Sequence, residues 1–474
     1  MKSERPEPMG AMIHQQSFAA LRRQYERGEL SPVEVAASAL AHAERIAGPT
    51  NAFALLDAER AMAAARLAEQ RWHEGRALGA LDGMPFTVKE FAAVGGWPTR
   101  RGSLVTPADP ALKSTVFVAR LEAAGAVLLG KTRAPEFNWK GVTDSPGYGI
   151  TRNPWNLALT PGGSSGGCAA AVAAGVVRVS FGSDAGGSVR IPAAFTGILG
   201  LKPTFGLIPL VPLPSHFSAT AHVGPLAVDS GDMMEAMDIV AGPTAADWTS
   251  GGESTEARAE SMRPIESLRV GILDASSWRD ESIPAVGSAM DAVMAAMSSS
   301  GMQQREMAFD IHGASDVGRR LYQIACAQTV RGIDPGLHPQ LDPGLVDCAR
   351  AASQIDLQDY FSLMQQRDAH AAALATLFET VDVLMLPTLP ITAFGAGRNV
   401  PEGWGDPDWF SWNPYTPAFN ALHAPALTYP VWTAGAELPV GIQLVTRKYH
   451  DRRLMRIAAW LQERFPVRMS PLAG

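Results

Sequence analysis

An α/β fold in one large domain is what this sequence predicts, and three observations carry that prediction. Of 474 residues, 46% are hydrophobic and 18% charged, a composition that builds a sizeable core and excludes a disordered chain. Short apolar runs of strand length alternate with stretches of helical periodicity, the pattern of helices packed on a sheet. No internal repeat, heptad array or clean linker divides the chain. Length alone suggests about three domains at ~150 residues each, but large α/β domains exceed that prior.

The elements follow in order. Ser31-Pro32-Val33-Glu34 supplies an N-cap hydroxyl, a proline suited to the first helical position and a glutamate able to close a capping box. Val33, Ala37, Leu40, Ala43 and Ile46 then recur at helical spacing, and an Ala-rich helix follows from about Asp57 to Glu74. Met84–Lys89 reads as a short buried strand, Thr115–Ala124 as a helix, and Ala126–Leu129 and Val176–Phe181 as further strands. Ile198–Lys202 opens a turn punctuated by Gly and Pro. Beyond about Ser230 the chain is mostly helical, with a loop expected over Gly242–Arg263 and strands at Leu268–Leu273, Val383–Thr388 and Val440–Val445.

Charge and cysteine content narrow the function classes. The 40 Lys+Arg against 47 Asp+Glu leave a net charge of −7, no electrostatic basis for a nucleic-acid partner. Cys168, Cys326 and Cys348 are odd in number and widely spaced, so neither a disulfide framework nor a zinc site is expected, and a reducing cytosol fits. Met1-Lys2-Ser3-Glu4-Arg5-Pro6 lacks the apolar core of a signal peptide. The longest apolar run, Cys168–Val177, is far short of a membrane span. A cytoplasmic protein with no membrane partner is the expectation.

Two short motifs mislead. Gly125-Ala-Val-Leu-Leu-Gly130-Lys131-Thr132 matches the phosphate-binding loop pattern, but its inner residues favour a buried strand and Pro135 interrupts the helix that must follow. Gly162-Gly163-Ser164-Ser165-Gly166 matches the nucleophile elbow of α/β-hydrolases. That fold needs a downstream histidine, and His216, His222, His312, His338, His370, His423 and His450 lie in unrelated contexts.

The longer region is the informative one. Thr160-Pro-Gly-Gly-Ser-Ser-Gly-Gly-Cys168 and Gly182-Ser-Asp-Ala-Gly-Gly-Ser188-Val-Arg190-Ile-Pro192 place two Gly/Ser loops around one Ala-rich helix and one strand. Backbones without side chains approach closely and aim several N–H groups at one point, as an oxyanion hole requires. Taken singly, such clusters are ordinary turns, Lys89 an ordinary strand-ending lysine, and Cys168 a small core residue.

Together with Asp82-Gly-Met-Pro-Phe-Thr-Val-Lys89, Gly130-Lys131-Thr132, Pro135-Glu136-Phe137, Thr151-Arg-Asn-Pro-Trp155 and Gly197-Ile-Leu-Gly-Leu-Lys202-Pro203-Thr204, these loops resemble the amidase signature family. Leu386-Pro387-Thr388, Phe419-Asn420 and Leu438–Gln443 extend the likeness toward the C-terminus. The resemblance implies a mixed β-sheet flanked by helices over residues 1–474, with a signature core at about 81–204 and a variable substrate-loop region at about 230–420. It implies a Ser–cis-Ser–Lys triad of Ser188, Ser164 and Lys89, with a cis peptide bond before Ser164. It further implies an oxyanion hole from the N–H groups of Ala185, Gly186, Gly187 and Ser188. Ser165 is expected to bond within its loop, and Asp184 and Arg190 to orient the nucleophile loop. Asn138, Trp139 and Gly141 fall where relatives line the acyl channel. No cofactor and no metal is implied.

The chemistry is coherent without a histidine. A serine is a weak nucleophile at its own pKa, a lysine acts as base only when desolvated to neutrality, and an intervening hydroxyl both donates and accepts. Glu90 replaces a common Asp, Val228 a frequent Arg, and Ala221 a position often held by Asp; none touches the triad. Trp404, Trp409, Phe410, Trp412 and Tyr415 form either an aromatic substrate wall or the packing of a long loop.

The functional expectation is a serine hydrolase of small-molecule amides with apolar or aryl groups, extending to carbamates (urethanes) and esters, as a monomer or homodimer. The alternatives are the amidase component of a glutamine-dependent amidotransferase complex, an esterase with Ser164 as nucleophile, and a non-catalytic binding protein.

Overall fold

Alternation along Val127–Thr132 shows how the sheet divides the molecule. Val127 and Leu129 belong to one buried cluster and Leu128 to another, because successive side chains of a strand point to opposite faces. The first cluster takes its helical half from Pro32–Thr50, Ala58–His73 and the Ala-rich Gly166–Ala173. The second takes it from Val116–Ala123, Ser230–Val240, Pro284–Ser299 and Asp451–Gln462. The computed structural model describes residues 12–211, 217 and 219–474. The N-terminal residues Met1–Pro6 and His216 lie outside the described residues.

Among the described residues, eleven strands form one mixed sheet. In spatial order they are Phe53–Leu56, Val127–Thr132, Pro85–Lys89, Val179–Asp184, His222–Ala227, Leu199–Lys202, Ala426–Val431, Val440–Val445, Val383–Pro387, Arg269–Leu273 and Gln303–Met307. Parallel pairing joins Val127–Thr132, Pro85–Lys89 and Val179–Asp184 at one end and the last three strands at the other, with antiparallel pairing between. Both faces are covered, and Pro85–Lys89, Val127–Thr132, Val383–Pro387 and Val440–Val445 are buried along their whole length.

Local chemistry explains several boundaries. The Ser31 hydroxyl accepts from Glu34 N while Glu34 Oε2 accepts from Ser31 N, closing the expected capping box with Pro32 at the first position. Asp57 caps the next helix by accepting from Arg60 N at 3.0 Å. The expected strand at Val176–Phe181 begins later, at Val179, and runs on to Asp184. The loop expected over Gly242–Arg263 contains a helix, Thr255–Ser261, whose N-cap is the Ser254 hydroxyl. The phosphate-loop pattern is a buried strand, and Lys131 Nζ donates to the Pro98 carbonyl at 2.7 Å.

Candidate active site

Parallel pairing of Pro85–Lys89 with Val179–Asp184, in the register Val88↔Phe181, brings the carboxyl ends of the two strands side by side. Ligands of open α/β sheets bind outside such ends. One strand delivers Lys89; the other delivers Ser183, Asp184 and the loop that carries Ser188. The third component, Ser164, precedes helix Gly166–Ala173 and follows a cis Gly163–Ser164 peptide bond. A Cβ on Gly163 would lie 2.5 Å from the Val142 backbone, so only glycine lets the loop sit this deep.

Lys89 is wholly buried, and its Nζ donates to Ser164 Oγ at 2.7 Å and to Ser183 Oγ at 3.1 Å. Burial pulls its pKa from the ordinary 10.5 down to about 7, only partly opposed by Cys168, Asp184 and Glu90. Ser164, Ser183 and Ser188 open on one cavity of about 50 Å³, with Phe91, Asn138, Ala185, Leu210, Phe217, Ala221 and Tyr322 as its other walls. Ser183 is the member that sequence reasoning passed over. Its signal was its place on a strand that pairs in parallel with the lysine's.

The loop from Asp184 to Arg190 is built around one carboxylate. Asp184 Oδ1 accepts from Gly187 N at 2.7 Å and Oδ2 from Val189 N at 3.1 Å, and Arg190 closes on both oxygens at 3.0 Å. Burial alone would raise the Asp184 pKa, but the Arg190 guanidinium and further hydrogen bonds carry it well below the usual carboxylate range. Arg190 also donates to Gln443 Oε1 and Asn420 Oδ1. Asp184 and Arg190 therefore brace the loop from beneath rather than face the cavity. The bond to Asp184 corrects one expectation. Gly187 N–H is already engaged, whereas the N–H groups of Ala185, Gly186 and Ser188 meet no protein acceptor among the described residues. Ser165 also differs from expectation: it bonds across to Ser183, donating to its carbonyl and accepting from its N–H, and its own N–H reaches the Ser188 carbonyl at 3.1 Å. It staples the two Ser loops together.

Removing Arg190 strands a buried charge. Arg190→Ala is expected to destabilise the fold by about 3–5 kcal/mol, read by urea unfolding. A loss under ~1 kcal/mol would show that Asp184 finds another partner.

Of the residues expected to bind substrate, Asn138 lines the cavity and the other two do not. Trp139 is buried behind it, and a Cβ on Gly141 would meet Trp409 at 2.7 Å and Trp412 at 2.9 Å, so Gly141 serves packing. The five aromatics between Trp404 and Tyr415 also pack rather than line the cavity: Trp409 and Phe410 stack at 3.7 Å, Trp412 donates to the Asn399 carbonyl, and Tyr415 bonds Glu281. Cys168 is buried against Thr132, and burial pushes its thiol pKa up. His222 is buried beside Lys202 with its pKa well below the ordinary value, and it bonds backbone carbonyls. The elbow reading of Ser164 lacks its structural context, since residues 151–163 contain no strand leading into the serine. Among the described residues no group of three or more His, Cys, Asp or Glu side chains is placed to hold a metal ion. No helix among them is long and apolar enough to cross a membrane.

The Amidase family profile matches residues 34–455. The chain belongs to the amidase signature family. It is 31% identical to a glutamyl-tRNA(Gln) amidotransferase subunit of Synechococcus sp. (strain CC9605), over 93% of this chain and 95% of that protein. It is 34% identical to the protein of the same name from Anaeromyxobacter dehalogenans (strain 2CP-C), over 91% and 93%. Among solved structures it resembles a 6-aminohexanoate cyclic dimer hydrolase, with TM-score 0.86, 26% identity and coverage of 98% of this chain and 100% of that one. It also resembles a bacterial aryl acylamidase of the amidase signature enzymes, with TM-score 0.85, 25% identity and coverage of 95% and 96%. Membership makes this chain an amidohydrolase.

Proposed function

We propose that this enzyme hydrolyses neutral amides with a short apolar acyl group, aryl amides in particular, through an acyl-enzyme on Ser188. The supporting observation is a wholly buried lysine bonded to Ser164, at a cavity that also opens on Ser188 and has apolar walls. Ser188 Oγ attacks the carbonyl as its proton passes to Ser164 and the proton of Ser164 passes to Lys89 Nζ. The N–H groups of Ala185, Gly186 and Ser188 receive the developing oxyanion. The relay then runs backward to protonate the leaving amine, and water releases the acyl group by the same base. Asn138 Oδ1 is buried without a partner among the described residues, an acceptor for the N–H that amides and carbamates carry and esters lack. Carbamates (urethanes) therefore belong to the same substrate range, with esters less well held.

A second reading, the amidase component of a glutamine-dependent amidotransferase, is favoured by the names of the curated relatives. Against it, glutamine carries an ammonium and a carboxylate, and no charged side chain is among the described residues of the cavity wall. The purified chain alone is expected to release aniline from short-chain anilides and to leave glutamine intact. Ammonia release from glutamine at a comparable kcat/KM, or only with a partner protein present, decides for the second reading.

A further inference from the structure

We infer that Tyr322, on the helix Ile311–Arg331 outside the signature core, sets the length of acyl group this site accepts. The inference rests on the acyl-enzyme reading above. Tyr322 forms one wall of the cavity on which Ser164 and Ser188 open. Its ring is held from several sides: Phe217 lies 4.7 Å away between centroids, and Phe410 and Trp409 meet it edge-on at 5.3 and 5.7 Å. Its hydroxyl donates to the Asn138 carbonyl. A side chain fixed by three rings and one hydrogen bond cannot swing aside when substrate enters, so its ring is a rigid stop.

That stop stands next to the reacting atoms. A Cβ built on Gly186 would come 3.3 Å from Tyr322 Cδ2 and 3.5 Å from Cε2, which puts the ring in contact with the proposed oxyanion loop. The same loop is tied from outside the signature core by Asn413 Nδ2 and Thr416 Oγ1, both donating to the Gly186 carbonyl at 2.8 Å. An acyl group bonded to Ser188 therefore extends into space bounded by Tyr322 and Phe217. The cavity of about 50 Å³ is small beside the ~300–1,000 Å³ of pockets that enclose drug-sized ligands. Acetyl and propionyl groups fit this space, and longer chains meet the ring.

The test compares acetyl, butyryl and hexanoyl p-nitroanilides as a ratio of kcat/KM values within each preparation. A ratio does not depend on the fraction of folded enzyme, which fluorophosphonate titration of Ser188 counts separately. Tyr322→Ala is expected to raise the hexanoyl-to-acetyl ratio about tenfold or more. Tyr322→Phe, which keeps the ring and loses only the bond to Asn138, is expected to keep the parent's ranking. Should Tyr322→Ala fail to fold, Phe217→Ala removes the ring packed against Tyr322 in the same wall and is expected to shift the ratio in the same direction. A ratio unchanged within about twofold, in a variant whose Ser188 still titrates, overturns the role of Tyr322 alone. Absence of labelling at Ser188 in the parent enzyme overturns that role together with the acyl-enzyme reading.

Discussion

Ser188→Ala is expected to lower kcat by about 10⁴-fold or more while leaving the fold intact. Among the described residues no protein group hydrogen-bonds Ser188 Oγ, so removing it leaves no buried partner unsatisfied. The backbone of the loop is held elsewhere, by Asp184 on Gly187 and Val189 and by the Ser165 N–H on the Ser188 carbonyl. The lost rate is therefore a loss of chemistry and not of structure, and thermal unfolding should match the parent. A fluorophosphonate is expected to label the parent at Ser188 and the variant not at all, as mass spectrometry of the digested protein would show. Label on Ser164 would transfer the nucleophile's role to that residue and end the proposed mechanism.

How much of this was legible depended on burial and on sequence distance. A strand buried on both faces, such as Val383–Pro387, announces itself as a continuous apolar run, and Pro85–Lys89 and Val440–Val445 are mostly apolar runs of strand length. Five strands of the large sheet escaped notice, each for a stated cause. Leu199–Lys202, read as the opening of a turn, has Gly200 within it and Pro203 directly after it. Phe53–Leu56 has only four residues, Gln303–Met307 is a polar edge strand, and His222–Ala227 carries Gly224-Pro225, which reads as a turn. Ala426–Val431 is buried at every position but contains Pro430. The loop residues of the site were readable because two Gly/Ser clusters and a strand-ending lysine match one family pattern. Their bracing was not: Tyr322, Asn413 and Thr416 reach the loop from more than 130 positions away with nothing local to mark them, and Asn420, though part of a family pattern, carries no sign that it reaches Asp184. The engagement of Gly187 by Asp184 was hidden for a different reason. A glycine N–H in a turn looks the same in sequence whether it faces substrate or a carboxylate.

Lys89→Met is expected to lose about 10³-fold or more in kcat/KM and to unfold at a higher temperature than the parent. Both outcomes follow from one quantity, the desolvation that draws the lysine to about pKa 7. The unfolded chain holds this proton up to about 10.4, so between about 7 and 10.4 it binds more protons than the folded protein. Stability gained from deprotonating Lys89 thus grows as pH rises through that window, and below about 7 the full penalty of a buried ammonium stands. Methionine fills similar volume without that penalty, and the hydroxyls of Ser164 and Ser183, which lose their lysine partner, still open on the cavity. The parent's kcat/KM is expected to rise about tenfold per pH unit to about 7 and then level, because only the neutral amine accepts the relayed proton. Full activity at pH 5 would exclude a neutral lysine as base. A lower unfolding temperature for Lys89→Met at neutral pH would show instead that the lysine's two hydrogen bonds outweigh its desolvation, and the cause assigned to its low pKa would fall with it.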